Sequence, residues 1–319
     1  MRRRSLIAGL GAGLASPAFA QAEYPARPVR VVVPFPPGGS NDAIARPLTD
    51  AMSRALGQPF VIENRGGAGS TIGTAEVVRA PADGYAVLVT SSTFATSAAV
   101  QQTPYDAGRD LETVALLATA PLCMLSSPGF APNTMGEAIA FIRAHPGEVH
   151  YGSSGPGSIG HMAGALFALR GRLDMQHVPY RGTGPVLNDM VANTIELTFT
   201  TITAAAGLVS SGRVKLLGWT TESPPASGPA GPTPAQSGLP DYEASIWWGL
   251  LARRGIPPAA AARLHTAAQA ALTEGRFATN LAQEGAAASH LSQADSERFI
   301  QADLTRWRDL ALSANIRVE

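Results

Sequence analysis

The sequence predicts an α/β fold of two domains, in which mostly parallel sheets are flanked by helices. Its 319 residues are enough for two domains, each with its own core. Strands, Gly/Ser-rich loops and helices alternate three times between residues 29 and 93, which is typical of a parallel sheet. A strand, a Ser/Gly/Pro loop and a helix follow one another in each half. We therefore expect two half-sites that face each other across a cleft.

The first half-site begins at a run of valines at 29–33, interrupted only by Arg30, which predicts a strand buried on both faces. Prolines at 34, 36 and 37 end the strand, and the two glycines at 38 and 39 allow a tight turn. Ser40, Asn41 or Asp42 is predicted to N-cap the helix that follows. Because a helix N-terminus at the end of a parallel strand favours anions, we predict that this loop holds a small carboxylate.

The remaining elements follow from apolar periodicity and from Gly/Pro breaks. In the first half we predict helices at 43–56 and 72–79, strands at 59–64 and 85–90, a Gly-rich loop at 65–70 and a polar loop at 91–93. The apolar run 111–125, broken by Pro121, predicts two strands and the first crossing between domains. In the second half we predict helices at 134–144, 162–169, 185–192, 259–272 and 293–312, strands at 150–152, 177–180, 196–200 and 214–220, an exposed loop at 223–238 and the return crossing at 247–252.

The N-terminus has the features of an export signal. Three arginines at 2–4 form a basic segment, residues 6–14 form a short apolar segment, and Ala18-Phe19-Ala20 fits a small-x-small cleavage site. We therefore predict a signal peptide at 1–20 and export to the periplasm. The arginine pair also fits a twin-arginine pattern loosely, so the choice between the general secretory and the twin-arginine route stays open.

The charge balance argues against nucleic acid as a partner. Removing the three leader arginines from the 24 basic residues leaves 21, against 24 acidic ones. Such a near-neutral to mildly acidic balance differs from the basic one that is typical of proteins that bind phosphate backbones. The one cysteine, Cys123, lies in an apolar run, so it is interpreted as a buried structural thiol.

A second interpretation of the loop at 155–160 is a dinucleotide site. The sequence from Gly155 to Gly160 fits G-x-G-x-x-G, and Asp174 follows 19 residues after Gly155. This interpretation would make the protein an NAD-linked enzyme. It is less favoured than carboxylate binding, because the preceding strand is short and an exported protein has little access to NAD. The same glycines expose N–H groups that a carboxylate can use.

Other chemistry is weakly supported by the residues. The segment 152–156 misses the G-x-S-x-G nucleophile motif because its last position is Pro156. His161 could reach a ligand or could bond to backbone, and Arg181 could contact an anion or be solvated. The six histidines are scattered, which argues against a metal site. Trp247 and Trp248 are predicted to pack at the domain junction rather than on a ligand.

These motifs, taken in order, resemble one family: the exported solute receptors of tripartite tricarboxylate transporters, also called Bug receptors. The resemblance covers nearly all of the chain after the leader. It rests on segments at 24–28, 33–42, 57–65, 81–85, 151–158, 177–182 and 237–240, among them V-P-F-P-P-G-G-S-N-D, Y-G-S-S-G-P-G-S and H-V-P-Y-R-G. Each segment is modest support by itself, but their order and spacing are specific.

The resemblance implies a two-domain, flytrap-like periplasmic binding protein of type II, with one domain at 24–121 and 253–319 and the other at 122–252. It implies a binding protein rather than an enzyme, without cofactor or metal, that is a monomer. Its ligand would be a small organic acid, and its partner would be the integral-membrane subunits of a transporter. A sensory receptor that presents a carboxylate to a signalling partner would use the same site.

The resemblance also nominates ligand-binding residues. In the family two loops grip one carboxylate through backbone N–H groups and hydroxyls, with a third loop nearby. Together with Arg181 and Thr200, the predicted site residues are Phe35, Gly38, Gly39, Ser40, Asp42, Ser92, Thr93, Ser153, Ser154, Gly157, Ser158 and His161. The chain departs from the family at 94–99, where an Asn-Pro pair is common, and at 198–201, where many members carry an Asp. Both departures concern the far end of the ligand, where threonines favour a carboxylate or neutral tail over an amino group.

Overall fold

The computed structural model describes residues 23–225, 228–283 and 285–317, so the predicted signal peptide lies outside the described residues. The strands are β1 (Val29–Val33), β2 (Phe60–Asn64), β3 (Ala86–Ser91), β4 (Leu111–Pro121), β5 (Cys123–Ser126), β6 (His150–Ser153), β7 (Gln176–Pro179), β8 (Leu197–Thr200), β9 (Lys215–Trp219), β10 (Ser245–Arg253) and β11 (Ala287–Ala288). The α-helices are α1 (Ser40–Leu56), α2 (Thr71–Arg79), α3 (Thr93–Val100), α4 (Met135–Ala144), α5 (Ile159–Gly171), α6 (Thr183–Val191), α7 (Ile202–Ser210), α8 (Pro258–Leu272), α9 (Gly275–Gln283) and α10 (Gln293–Ser313). None of the helices in the described ranges is long and apolar enough to cross a membrane.

In the described part of the chain, the strands form two sheets with helices packed on them. One has the order β11-β4-β10-β3-β1-β2 and the other the order β7-β6-β8-β5-β9. The α/β fold is therefore as predicted, but the sheets are mixed rather than mostly parallel. The strand–loop–helix units give parallel pairs, such as β1 with β2 and β3 and β6 with β7 and β8. The strands at the crossings, β4, β5 and β10, pair antiparallel with their neighbours because the chain passes straight from one sheet to the other.

The chain crosses between the sheets where β4 ends and β5 begins, and it returns before β10. Strand β10 pairs with β3 and β4, so it belongs to the first sheet. The predicted second domain at 122–252 wrongly included most of this strand, because its apolar sequence shows burial but does not show which sheet it joins. Near the crossings, the hydroxyl of Thr220 lies 2.7 Å from the carbonyl oxygen of Leu122 and 2.6 Å from that of Ala244. Thr220 thus ties the outgoing and the returning segment together.

The first strand and helix are built as predicted. The valines of β1 are at most 1% exposed, while Arg30 reaches solvent. Helix α1 buries Ile44, Leu48 and Met52 on one face and ends at Gly57, whose φ of 67° is left-handed. The apolar stripe of α1 therefore fixes the start of the helix beside the end of β1.

Three helices, α3, α7 and α9, were not predicted. Helix α3 is buried at Thr93, Phe94, Ala95, Thr96, Ser97 and Val100, so its sequence lacks the alternation of apolar and polar faces that marks a surface helix. Helix α7 is short, and most of its residues are apolar although only Ala205 is buried. Apolar periodicity thus does not identify a helix that is buried on most sides, or an exposed helix that is built from small apolar residues.

Cys123 lies in β5 with no exposed surface, and its Sγ donates to the carbonyl oxygen of Thr200 at 3.2 Å. Burial raises the pKa of this thiol far above its ordinary range. Both tryptophans of β10 are at most 1% exposed, and Trp247 donates through Nε1 to Asp303 at 2.7 Å. The thiol and the two indoles are therefore parts of the core.

Candidate functional site

A cleft of about 670 Å³ lies at the carboxyl ends of β1, β6, β7 and β8. Ligands of open α/β sheets bind at such strand ends. The lining comprises residues 35–41, Ala43, Ser154, Ile159, Gly160, residues 181–184 and 198–201, Thr203, Ala204, and the apolar side chains of Leu122, Val186, Leu187 and Ile246. The two predicted half-sites thus open into one cavity.

The first loop, residues 34–42, forms one wall of the cleft. Its turn requires glycine at position 38, where φ is 84°. Helix α1 starts after Gly39 with no side-chain hydrogen bond at its N-cap, so the predicted capping by Ser40, Asn41 or Asp42 is wrong. The N–H groups of the first turn of α1 therefore have no side-chain acceptor, which is the state that attracts an anion.

Asp42 supports the first loop from behind rather than lining the cleft. It is 4% exposed and forms an ion pair with Arg46 at 2.7 Å. Its carboxylate also accepts the N–H of Gly38 at 3.0 Å and the Nδ2 of Asn64 at 3.1 Å. Burial alone would raise the pKa of this carboxyl, but the hydrogen bonds from Arg46, Gly38 and Asn64 outweigh it and hold the pKa below its ordinary value. The carboxylate of Asp42 thus stabilises the conformation of the first loop and is not available to a ligand.

The second loop, residues 153–158, presents only Ser154 to the cleft, together with Ile159 and Gly160 at the start of α5. Ser158 caps α5 by accepting the N–H of His161 at 3.3 Å. His161 in turn accepts the N–H of Gly157 through Nδ1 at 3.1 Å. The predicted site residues Ser153, Gly157, Ser158 and His161 therefore hold the loop in shape and lie outside the lining.

His161 stacks on His177 behind the second loop, with ring centroids 3.8 Å apart. Burial lowers the pKa of His161 to about 4, and burial together with the neighbouring His161 lowers that of His177 to about 3. The Nε2 of His177 lies 2.7 Å from the Oγ of Ser153. This contact resembles a nucleophile and its base, but Ser153 is 2% exposed and its hydroxyl donates to the carbonyl of Gly155 at 3.0 Å. The pair is therefore suited to holding the loop, with both rings neutral at pH 7.

The second loop is also held from the other side, by α3. Ser97 donates to the carbonyl of Gly157 at 3.3 Å. A Cβ at Gly157 would lie 3.0 Å from Val100 and 3.2 Å from Ser97, and φ at this glycine is 73°. Another glycine of the G-x-G-x-x-G pattern, Gly160, approaches the carbonyl oxygen of Phe199, which a Cβ would meet at 2.6 Å. Close packing therefore accounts for these two glycines without a nucleotide.

We expect Gly157→Ala to reduce the free energy of unfolding by about 2–4 kcal/mol, because the new methyl group meets α3 and the left-handed φ is strained. Urea unfolding of the purified protein measures this. Gly207→Ala in α7 is the matched control, since a Cβ there has no neighbour within 4 Å. A loss at Gly157 no larger than at Gly207 would contradict the close contact between α3 and the second loop.

The predicted residues Ser92 and Thr93 lie at the start of α3 and are 0% and 8% exposed. They do not line the cleft. Of the loop predicted at 91–93, Ser91 ends β3, Ser92 caps α3 and Thr93 begins it, and all three residues are buried. The structure therefore places this pair at the start of α3 and outside the lining of the cleft.

The far wall, residues 181–184 and 198–204, comes from the ends of β7 and β8. Helices α6 and α7 start here, after Gly182 and Thr201, without a side-chain hydrogen bond at the N-cap and without an acidic residue in the first turn. Thr201 is 7% exposed and accepts a hydrogen bond from Thr203 at 3.1 Å. The exposed Arg181 stands beside the start of α6. Of the predicted residues, Arg181 and Thr200 line this wall.

The electrostatics of the cleft favour an anion. Among the lining residues that the structure describes, Arg181 is the one ionisable side chain, and no acidic side chain is present. The starts of α1, α5, α6 and α7 all border the cavity, and each contributes partial positive charge. Within the described ranges, no group of three His, Cys, Asp or Glu side chains is arranged to hold a metal ion.

The prediction from sequence therefore places seven of its residues in the lining: Phe35, Gly38, Gly39, Ser40, Ser154, Arg181 and Thr200. It missed the start of α7 and the polar residues Asn41 and Thr183, and it placed Thr201 near the far end of the ligand without naming it as a site residue. Asn41 was considered only as a helix cap, although its position in the first loop pointed to the cleft. Thr183 and Thr201 follow strand ends, which is a signal that could have identified them.

Comparison with known proteins gives consistent matches along the chain. A family model described as "Tripartite tricarboxylate transporter family receptor" matches residues 44–316. Protein BugT of Bordetella pertussis is 32% identical over 315 residues, covering 96% of either chain. The structure of MatC from Rhodopseudomonas palustris with bound malate has a TM-score of 0.81 at 30% identity, covering 90% of this chain and 99% of that chain. A structure of an R. palustris protein with adipate has a TM-score of 0.83 at 30% identity, covering 92% and 99%.

Proposed function

Because the chain belongs to the tripartite tricarboxylate transporter receptor family, we propose that it is an exported receptor that captures a small organic acid and delivers it to a membrane transporter. Capture would take place in the cleft, with a carboxylate at the start of α1 in the first loop. The protein would act in the periplasm as a monomer, after removal of residues 1–20.

One observation carries this proposal: the cleft has positive partial charges on both walls and no acid among its described lining residues. A carboxylate at the N-terminus of α1 gains backbone hydrogen bonds without displacing a side-chain cap. Arg181 and the starts of α6 and α7 offer the same attraction on the far wall. Two related structures are described with malate and with adipate, which supports an organic acid as the ligand class.

The apolar side chains in the lining indicate how the rest of the ligand is held. Leu122, Val186, Leu187 and Ile246 are among the residues that line the cavity. A carbon chain between two polar ends would cover this surface, and its burial stabilises the complex by about 0.8 kcal/mol per methylene. A ligand that contacts residues beside both sheets would favour a closed arrangement of the two domains. A partner protein could then recognise the closed form as the ligand-bound one.

We expect a dicarboxylate, a tricarboxylate or an aromatic acid to raise the melting temperature by about 5 °C at a concentration of about 100 Kd, because a ligand of the folded form adds RT ln(1 + [L]/Kd) to stability. Differential scanning fluorimetry of the mature protein measures this. Neutral diamides of the same length are the control and should give no shift. The absence of a shift with every acid at millimolar concentration would overturn the proposal.

A further inference from the structure

Asn41 is a buried polar residue of the cleft whose amide oxygen has no hydrogen-bond partner among the described residues. It is 9% exposed, and it lies in the first turn of α1 among the lining residues. Its Oδ1 is buried without a hydrogen-bond partner in the described chain. Buried polar atoms in native proteins are nearly always hydrogen bonded, because leaving one unpaired costs free energy. A group that enters the cleft is therefore the natural partner for this amide.

The position of Asn41 decides which part of a ligand it meets. Its backbone N–H belongs to the first turn of α1, where the carboxylate of the proposed function would sit. The neighbouring Asp42 is occupied by Arg46, Asn64 and the N–H of Gly38, so it does not compete for the ligand. Asn41 is thus placed to contact the atoms next to the carboxylate rather than the far end of the ligand.

The charge of the cleft determines which kind of hydrogen-bond donor is favoured beside Asn41. An amide oxygen accepts a hydrogen bond from either a hydroxyl or an ammonium group. An ammonium group, however, would enter a cavity bordered by helix N-termini and Arg181, with no acidic side chain among the described lining residues. Burying a cation without a counter-ion is costly. A neutral hydroxyl satisfies the amide without that cost.

We propose that Asn41 determines specificity by reading a hydroxyl group next to the bound carboxylate, so that 2-hydroxy acids bind better than unsubstituted acids and better than 2-amino acids. This inference rests on the proposed function as a carboxylate receptor. A site that hydrogen-bonds a substrate hydroxyl rejects the analogue that lacks it, because its own polar group is left unpaired. One such hydrogen bond corresponds to a preference of about tenfold.

The test is calorimetric titration of the mature protein with matched acids: succinate, both enantiomers of malate and aspartate, and then glutarate, 2-hydroxyglutarate and glutamate. For at least one chain length, we expect one enantiomer of the hydroxy acid to bind about tenfold more tightly than the unsubstituted acid, and the amino acid more weakly than both. Asn41→Ala should reduce the preference for the hydroxyl to less than about twofold, because the hydroxy acid then binds about as weakly as the unsubstituted acid. Asn188→Ala, at an exposed position of α6 outside the cleft, should keep the preference.

Two results would overturn the inference while leaving the proposed function intact: acids that bind without regard to the hydroxyl, or a preference that persists in Asn41→Ala. Thermal melts of both variants separate loss of folding from loss of selectivity. If no acid of either length binds, and the fluorimetric series also shows no shift, the proposed function fails and the inference fails with it. Tightest binding by aspartate or glutamate would contradict the argument from the charge of the cleft.

Discussion

Lowering the pH from about 7 to about 4.5 is expected to destabilise the protein through His161 and His177, by about 5 kcal/mol for the pair. His161 is buried and His177 is half-buried behind the second loop, with folded pKa values of about 4 and about 3. In the unfolded chain each histidine titrates near about 6.5. Between that pH and the folded pKa values, the unfolded chain binds protons that the folded chain does not, so the free energy of unfolding falls as the pH falls. The contribution is complete above about pH 6.5.

Protonation would also break specific contacts. A proton on Nδ1 of His161 would face the N–H of Gly157, which now donates to that nitrogen at 3.1 Å. A charge on either ring would lie 3.8 Å from the other ring. Burial accounts for the lowered pKa of His161, and burial together with His161 accounts for that of His177; no charged side chain of the described residues raises either pKa. The loss of stability should therefore be accompanied by loosening of the second loop.

Urea unfolding at a series of pH values measures the effect, and His161→Asn with His177→Gln isolates it. Asparagine keeps an acceptor for Gly157, and glutamine keeps a donor for Ser153, but neither titrates. The double variant should lose stability less steeply than the parent protein between about pH 6.5 and about pH 4.5. Replacing the exposed His290 with Gln is the control. Equal slopes for the parent and the double variant would show that the pair does not titrate in this range.

Replacing Asp42 with Asn is the second change with a large expected effect. The side chain is nearly the same size, but the charge that binds Arg46, Gly38 and Asn64 is removed. We expect a loss of about 2 kcal/mol in the free energy of unfolding, because hydrogen bonds to a buried carboxylate are among the strong ones. Because the same contacts shape the first loop, affinity for a carboxylate should fall at least about tenfold.

Asp309→Asn is the matched control for Asp42. Asp309 lies 3.4 Å from Arg308, but both side chains are 63% exposed, so the change should alter stability by less than about 0.5 kcal/mol. The pH dependence gives a further check. The pKa of Asp42 is held below its ordinary value, so its contribution is present at neutral pH and is lost as the pH falls below about 4. This pH range lies below the range in which the two histidines titrate. If the difference in stability between the parent protein and the Asp42 variant disappeared near pH 6, the effect could not come from the Asp42 carboxylate.

Much of the fold follows from local patterns in the sequence. The run of valines in β1 and the stripe of Ile44, Leu48 and Met52 in α1 are direct records of burial, and both elements lie where they were predicted. The motifs identified the receptor family correctly. Strand pairing was harder to predict. Whether β10 joins one sheet or the other depends on contacts between distant segments, and no local pattern contains that information.

The site was predicted in part, for a related reason. Gly38, Gly39 and Arg181 follow strand ends, and that rule alone brings them to the cleft. Asp42 and His161 have the chemistry of ligand-binding residues, but their partners, Arg46 with Asn64 and Gly157, occupy them within the protein. The amide oxygen of Asn41 has no partner in the described chain, and Asn41 is the residue that sequence reasoning set aside. Whether a polar side chain is free for a ligand depends on what surrounds it in three dimensions.

The burial of Cys123 has a practical consequence for measuring motion in this protein. It is the one cysteine of the sequence, it has no exposed surface, and its raised pKa keeps it as an unreactive thiol at neutral pH. Maleimide dyes would therefore leave the parent chain unlabelled. A pair of cysteines introduced at exposed positions, one beside each sheet, would carry a donor and an acceptor fluorophore without background. The distance between the two dyes would then report opening and closing of the cleft in single molecules.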